Sequence, residues 1–152
     1  MNANHLLRIG LLAGLAGLVS VARADERVPH VPPLPAYRQE CAACHIAYPP
    51  SLLPAASWQR LLADLAHHFG SDASLDPATV QQLSGWLTAH AGGGTSPPQD
   101  RITRSAWFLH EHGKLPDVVW RRAAVRSPSN CAACHAGAAE GDFSESRVRI
   151  PR

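Results

Sequence analysis

Outside its first residues, the sequence lacks any hydrophobic run long enough to cross a membrane. The one long apolar run, IGLLAGLAGLVSV at residues 9–21, follows a short, weakly basic opening and precedes Ala22-Arg23-Ala24, a small-residue cleavage signal. We therefore predict that residues 1–24 form a secretory signal peptide that is cleaved after Ala24. The remaining chain is then exported, which in a bacterium means the periplasm, and an uncleaved N-terminal anchor is the alternative.

The chain that remains after this predicted cleavage also lacks net charge. The full sequence has 14 Lys and Arg residues and 12 Asp and Glu residues. Arg8 and Arg23 lie in the predicted leader and no acidic residue does, so 12 basic side chains balance 12 acidic ones. Proteins that bind nucleic acid usually carry a basic patch or a positive net charge. We therefore expect no nucleic-acid partner.

All four cysteines fall in two copies of one pentapeptide, CAACH. The residues of the two copies are Cys41, Cys44, His45, Cys131, Cys134 and His135. C-x-x-C-H is the attachment signal of c-type haem. The two thiols form thioether bonds to the vinyl groups of one porphyrin, and the adjoining histidine is the proximal ligand of its iron. The two copies therefore predict two covalently attached haem c groups.

Other uses of four cysteines fit the sequence less well. Two disulfides, the usual state in an oxidising compartment, leave both histidines unexplained. A zinc site built from the four thiols also leaves the histidines unexplained, and the stretch between Cys44 and Cys131 far exceeds the usual ribbon spacing. A thioredoxin-like dithiol requires a C-x-x-C that opens a helix after an apolar strand, and neither copy does.

The rest of the chain predicts a mainly α fold with long loops and no convincing alternating strand. Residues 27–40 are rich in proline and are expected to form an arm before the first motif. The predicted helices are residues 58–69 capped by Ser57 and stopped by Gly70, residues 78–91 opened by Asp76-Pro77, residues 102–112 closed by Gly113, and residues 117–126. We expect one domain over residues 25–152, with a first haem half (25–91), a Gly/Pro linker (92–100) and a second haem half (101–152).

The scarcity of methionine limits the second axial ligand of each iron. Met1 is the only methionine and Lys114 the only lysine, so methionine is excluded from the exported chain and lysine is a weak candidate. Histidine is the natural choice. Six histidines remain outside the motifs and the leader: His30, His67, His68, His90, His110 and His112.

Helical periodicity separates some of these candidates. On the predicted helix 58–69, His68 borders the apolar stripe and His67 lies opposite it. His90 shares an apolar face of its own helix and is a rival ligand, with a capping or core-edge role as the alternative. Periodicity does not decide between His110 and His112, and His30 in the proline-rich arm is expected to be solvated.

Several stretches resemble the dihaem cytochrome c family, small exported bis-histidine cytochromes. They are ECAACH; W-x-x-L-x-x-x-L-x-x-HFG-x-x-A-x-L, from Trp58 to Leu75; IT-x-x-x-WF-x-x-EH, from Ile102 to His112; VW-x-R; NCAACH; and the closing FSESRVRIP. The resemblance implies a small cytochrome c-like helical fold packed around two covalent haems. It also implies that the histidine before Phe-Gly and the one after Glu, here His68 and His112, are the distal ligands.

The resemblance further implies a role as an electron carrier. Its expected partners are a membrane-bound b-type cytochrome and soluble haem proteins, including a small oxygen-binding monohaem cytochrome. A haem enzyme, such as a peroxidase or a small-oxyanion reductase, is the alternative if one iron keeps an open position. The doublets HH and HEH leave His67 and His110 as competing ligands.

Overall fold

The computed structural model describes residues 31–152, so the predicted signal peptide and His30 lie outside the described residues. Within that range the chain forms five α-helices joined by loops and short 3-10 turns: α1 (Pro35–Cys41), α2 (Ala55–Ala63), α3 (Pro77–Ala89), α4 (Ala106–His112) and α5 (Asp117–Trp120). The same residues contain only isolated β-bridges and no strand. The prediction of a mainly α fold with long loops is confirmed. No helix among the described residues is long and apolar enough to span a bilayer.

The sequence predicts a proline-rich arm over residues 27–40, but the structure has helix α1 at Pro35–Cys41. Pro35 occupies the first turn of α1, where its fixed φ is compatible with a helix and its missing N–H costs nothing. The helix buries Tyr37 and ends at Cys41, at the start of the first CAACH motif. A proline-rich segment therefore opens a helix here and places the first motif at that helix's C-terminus.

Helix α2 differs from its prediction at both ends. It begins at Ala55 after Pro54, and Ser57 is a buried helical residue instead of the N-cap. It ends at Ala63, because Asp64 leaves the helical region with φ −134° and ψ 47°, and a 3-10 turn covers Leu65–His67. The predicted continuous helix to Phe69 is therefore wrong, and His68 lies outside any helix.

Helix α3 starts as the sequence predicts. The Asp76 carboxylate accepts hydrogen bonds from the backbone N–H groups of Ala78 and Thr79, each at 3.0 Å, and Pro77 is the first helical residue. Such a cap contributes about 1 kcal/mol to helix stability. The helix ends at Ala89, and His90 is its C-cap.

The predicted third and fourth helices are shorter than the pattern indicates. Residues 102–112 divide into a 3-10 turn (Ile102–Arg104) and α4, whose N-cap Ser105 accepts a 3.1 Å hydrogen bond from the Phe108 N–H. The fourth helix, predicted to reach Arg126, ends at Trp120. Turns carry the chain from there to the second CAACH motif.

The main hydrophobic core lies in the first half of the described chain. Its buried members come from α1, α2, α3 and the loop before α2: Tyr37, Leu53, Trp58, Leu62, Leu83 and Leu87. Each fully buried leucine contributes roughly 1.5–3 kcal/mol. The second half buries only a few small or scattered apolar side chains, Phe108, Val119, Val125 and Ala138. A chain with so little apolar core in one half is expected to need additional apolar surface to pack on.

The predicted Gly/Pro linker is packed against the first half at both ends. The Gly92 N–H donates to the Leu53 carbonyl at 2.9 Å, and a Cβ on Gly92 would lie 2.0 Å from the Ser51 carbonyl oxygen. At the other end, Arg60 donates two hydrogen bonds to the Asp100 carboxylate, from Nε at 2.9 Å and from Nη2 at 2.6 Å. Both ends of the linker are therefore held to the first half.

Candidate haem-binding sites

The first site forms where two histidine rings meet. His45 closes the first CAACH motif, and its ring centroid lies 6.2 Å from that of His68, with 31° between the ring planes. His68 reaches this position because the chain leaves α2 at Asp64 and turns through Leu65–His67. The His45 Nδ1 contacts the Ile46 carbonyl at 2.7 Å, so Nδ1 carries the proton and Nε2 keeps a free lone pair.

The second site repeats this arrangement with different elements. His135 closes the second CAACH motif, and its ring centroid lies 6.1 Å from that of His112, with 67° between the planes. His112 is the last residue of α4, and its Nδ1 contacts the Phe108 carbonyl at 3.1 Å. This contact again leaves Nε2 with a free lone pair.

Both ring separations fit a metal bound between two imidazoles. Two metal–nitrogen bonds of about 2 Å, with about 1.2 Å from each nitrogen to its ring centre, give roughly 6.4 Å between centroids. The Nδ1 atoms of His68 and His135 are buried and have no hydrogen-bond partner in the described structure. Buried polar atoms without partners are rare, and an additional bound group is one ordinary explanation for them. The residues present therefore fit a haem iron at each pair.

Burial also keeps two of these rings in the form that binds a metal. Burial lowers the pKa of His68, and the neighbouring His45 ring lowers it further. His135 shows the same pattern, since burial lowers its pKa first and His112 adds to the effect. A neutral imidazole retains the lone pair that a metal ion requires.

A cavity of about 540 Å³ opens beside the second histidine pair. Aromatic side chains line it, and two of them contact the histidine rings: Phe108 stacks on His112 at 4.1 Å between centroids, and Phe143 lies 5.3 Å from His135. Cys131 and Cys134 also line the cavity. An apolar pocket of this size, with thiols and imidazoles on its wall, suits a porphyrin.

The comparisons with known proteins agree with this geometry. The family model described as dihaem cytochrome c matches residues 37–143. The chain belongs to the dihaem cytochrome c family. No curated protein matches it.

Solved structures of dihaem cytochromes from two organisms resemble this chain. The X-ray structure of a dihaem c-type cytochrome from Shewanella baltica OS155 is 38% identical, with 80% of this chain and 95% of that chain covered and a TM-score of 0.71. A crystal structure of the dihaem cytochrome purified from Rhodobacter sphaeroides is 46% identical, with 74% and 99% covered and a TM-score of 0.67. A second structure of the dihaem cytochrome c from Rhodobacter sphaeroides is 43% identical over 76% of this chain and 100% of that one, with a TM-score of 0.67.

The family supports two haem c groups, and the four cysteines form the two C-x-x-C-H motifs that would attach them. All four lie among the described residues, and none of them forms a disulfide: Cys41, Cys44, Cys131 and Cys134. Burial raises the pKa of Cys41 and of Cys131 to about 11 each. Among residues 31–152, no group of three or more His, Cys, Asp or Glu side chains is arranged to hold a metal ion.

The other described histidines of this cytochrome have different neighbours. His67 is exposed and pairs with Asp64 at 2.6 Å, which raises the pKa of His67. His110 is exposed and pairs with Glu111 at 2.9 Å. His90 donates its Nδ1–H to the Trp86 carbonyl at 2.8 Å as the C-cap of α3, in line with the capping alternative. The structure therefore brings His68 and His112, and none of these three, to the CAACH histidines.

Three residues near the first site of this dihaem cytochrome were not identified from the sequence. The Tyr48 ring stacks on His45 with 4.8 Å between centroids and 25° between planes. The Phe69 ring meets His68 edge-on at 4.9 Å, and the Arg101 guanidinium lies 4.3 Å from the centre of Phe69. Tyr48 and Phe69 follow His45 and His68 closely in the sequence, and that proximity is a signal that could have identified them. Arg101 is brought in from beyond the linker, and no local pattern could have identified it.

Proposed function

We propose that this protein is an exported electron carrier with two low-spin haems, each held by two histidines. His45 and His68 would hold the iron of the first haem, and His135 and His112 would hold that of the second. The observation that carries the proposal is the pair of imidazole separations, 6.2 and 6.1 Å, each joining a CAACH histidine to one distant in sequence. The haems, when bound, supply a one-electron Fe(III)/Fe(II) couple.

The protein's part in this chemistry would be to hold each iron with two imidazoles. Carbonyl contacts fix the rings of His45 and His112, and burial keeps His68 and His135 neutral. With both positions filled, a change of oxidation state needs little rearrangement. Two histidine ligands, without the methionine that raises the potential in many c-type cytochromes, place both potentials on the low side.

The physiological role follows from the family and the predicted leader. We propose that the protein works in the periplasm, after cleavage behind Ala24, and passes single electrons between a membrane-bound b-type cytochrome and small soluble haem proteins. The peroxidase or small-oxyanion reductase alternative requires an open iron position. It is less well supported, since a second imidazole stands opposite the CAACH histidine at each site.

Absorption spectra of the purified protein test this function. We expect sharp low-spin bands in both the ferric and the ferrous states and no change on adding carbon monoxide. Mass spectrometry of the denatured protein is expected to show the chain from Asp25 plus two haem masses and no thiol that reacts with an alkylating agent. A high-spin ferric band would instead support the haem-enzyme alternative, and four reactive thiols without a Soret band would overturn the haem assignment.

A further inference from the structure

The Tyr48 side chain touches both halves of the molecule beside the two CAACH motifs. Its ring stacks on the first motif's histidine, His45, at 4.8 Å. Its hydroxyl donates a hydrogen bond to the Ser129 carbonyl at 2.7 Å, across 81 positions of sequence. Ser129 stands two residues before Cys131, so a single side chain connects the ligand of one motif with the approach to the other.

The turn that receives the Tyr48 hydroxyl is closely built. The Ser129 N–H donates to the Ser127 hydroxyl at 3.2 Å, the Asn130 N–H donates to the Ser127 carbonyl at 3.0 Å, and the Asn130 amide donates to the Val125 carbonyl at 3.0 Å. These bonds orient the chain as it enters the second motif. The Ser129 carbonyl points away from this internal network and toward Tyr48.

Haem attachment would leave the Ser129 carbonyl with fewer hydrogen-bond donors besides Tyr48. In the free chain the Cys131 thiol also donates to the Ser129 carbonyl, at 3.7 Å. A thioether has no S–H, so attachment removes this donor and leaves the Tyr48 hydroxyl.

The Tyr48 backbone is itself held in place from the first half. Its carbonyl accepts a 2.7 Å hydrogen bond from the hydroxyl of Tyr37, which is buried in the core against Trp86. The phenol of Tyr48 is thus attached to a rigid part of the fold. The hydrogen bond from its hydroxyl to the Ser129 carbonyl therefore restrains the chain that enters the second motif.

We propose that Tyr48 is a positioning residue shared by the two haem sites, which fixes the plane of the His45 ring and the turn that presents Cys131. The inference rests on the proposed function, because it takes His45 and Cys131 as residues of two haem sites. Its consequence is that the hydroxyl and the ring of one side chain act on different haems and can be separated by mutation.

Two substitutions of Tyr48 in the holoprotein test the two contacts. Tyr48→Phe keeps the ring and removes the hydroxyl, so amide hydrogen exchange in residues 130–135 should become about fivefold faster, the factor for one hydrogen bond of ordinary net strength. Tyr48→Leu also removes the stacking ring. One of the two low-spin ferric EPR signals should then change, because these signals depend on the relative orientation of the two axial imidazole planes.

Tyr37→Phe is the matched control. It removes a tyrosine hydroxyl bond to a carbonyl of the same 2.7 Å length, within the first half only. Because Tyr37 holds Tyr48 only through its backbone carbonyl, we expect Tyr37→Phe to speed the exchange of residues 130–135 less than Tyr48→Phe does, and to leave the stacked ring and the EPR signals in place. Exchange in Tyr48→Phe no faster than in Tyr37→Phe, or an unchanged EPR spectrum in Tyr48→Leu, overturns the inference. The proposed function fails separately, if the unmutated protein lacks two low-spin ferric signals.

Discussion

His67 and His68 are adjacent in the chain, yet their rings have different partners. The exposed His67 ring pairs with Asp64 at 2.6 Å, and the half-buried His68 ring faces His45 at 6.2 Å between centroids. Helix α2 ends at Ala63, the 3-10 turn Leu65–His67 follows it, and His68 comes directly after that turn. Of the two neighbours, His68 is therefore the proposed iron ligand.

The first prediction compares these two neighbours. His68→Ala should convert one haem from low spin to a state that binds carbon monoxide, because His45 then has no second imidazole opposite it. His67→Ala should leave the low-spin spectrum intact, since the exposed His67 ring bonds to Asp64 in the described structure. Ferrous spectra with and without carbon monoxide decide the matter. If the His67→Ala protein binds carbon monoxide and the His68→Ala protein does not, His67 is the ligand and the prediction is wrong.

Helical periodicity and the structure both favour His68 over His67 as the proposed ligand, but for different reasons. Periodicity favoured His68 on a helix continuing to Phe69, but α2 ends at Ala63 and a 3-10 turn carries His68 to the site. The helical argument was therefore wrong, although the structure does place His68 beside His45. The CAACH motifs and the Asp76-Pro77 start of α3 were predictable because spacing and capping are local. The ends of α2 and the approach of Arg101 depend on tertiary packing, which the sequence does not display.

The second prediction concerns the HEH stretch, where periodicity did not decide. His112→Ala should open the other haem to carbon monoxide, because the His112 ring lies 6.1 Å from His135. His110→Ala should leave both haems low spin, since the exposed His110 ring bonds only to Glu111 in the described structure. The double variant His68→Ala/His112→Ala should bind two molecules of carbon monoxide per chain. If His110→Ala opens a haem and His112→Ala does not, the ligand assignment fails while histidine ligation stands.

A third prediction tests the packing of the linker against the first half. Gly92→Ala should lower the free energy of unfolding by about 1–3 kcal/mol, the usual cost of overpacking, because its Cβ would lie 2.0 Å from the Ser51 carbonyl oxygen. Gly93→Ala is the matched control, since no atom lies within 4 Å of the Cβ position there. Denaturant unfolding of both holoproteins measures the difference. Equal stability of the two variants would show that residues 92–93 are not packed as the structure has them.

A fourth prediction concerns acid stability at the Arg60–Asp100 pair. The hydrogen bond from Arg60 holds the pKa of Asp100 below its ordinary value of 3.8. A lowered folded-state pKa stabilises the protein above the unfolded value, and the stabilisation is lost as the pH falls through the folded value. Asp100→Asn should therefore reduce stability by about 0.5–1 kcal/mol at pH 7, with the difference from the unmutated protein shrinking steadily below pH 3.8.

Asparagine suits this test because Asp100 has a φ of 54°, a region that asparagine also tolerates. The substitution thus removes the charge with little added backbone strain. Thermal melts at a series of pH values measure the difference, and a double-mutant cycle with Arg60→Gln separates the pair from the two single charges. A difference that persists undiminished at the lowest pH would mean that the carboxylate charge is not its source.

The last prediction uses the charge that Arg101 brings to the first site. Its guanidinium lies 4.3 Å from the Phe69 ring centre, which lies 4.9 Å from that of His68, so the charge is within about 9 Å of the His68 ring. That distance is close to the screening length of physiological salt, about 8 Å. A positive charge there favours the reduced haem, so Arg101→Gln should lower the potential of the first haem by about 20–60 mV.

The matched control is Arg104→Gln, which removes the same charge from the same turn. Arg104 is exposed, and its backbone N–H donates to the Arg101 carbonyl at 2.9 Å. Spectroelectrochemical titration resolves the two potentials, and the His68→Ala variant identifies the first haem. We expect Arg101→Gln to shift that haem alone and Arg104→Gln to shift it less. Equal shifts from both arginines would mean that overall charge, and not the placement of Arg101 against Phe69, sets the potential.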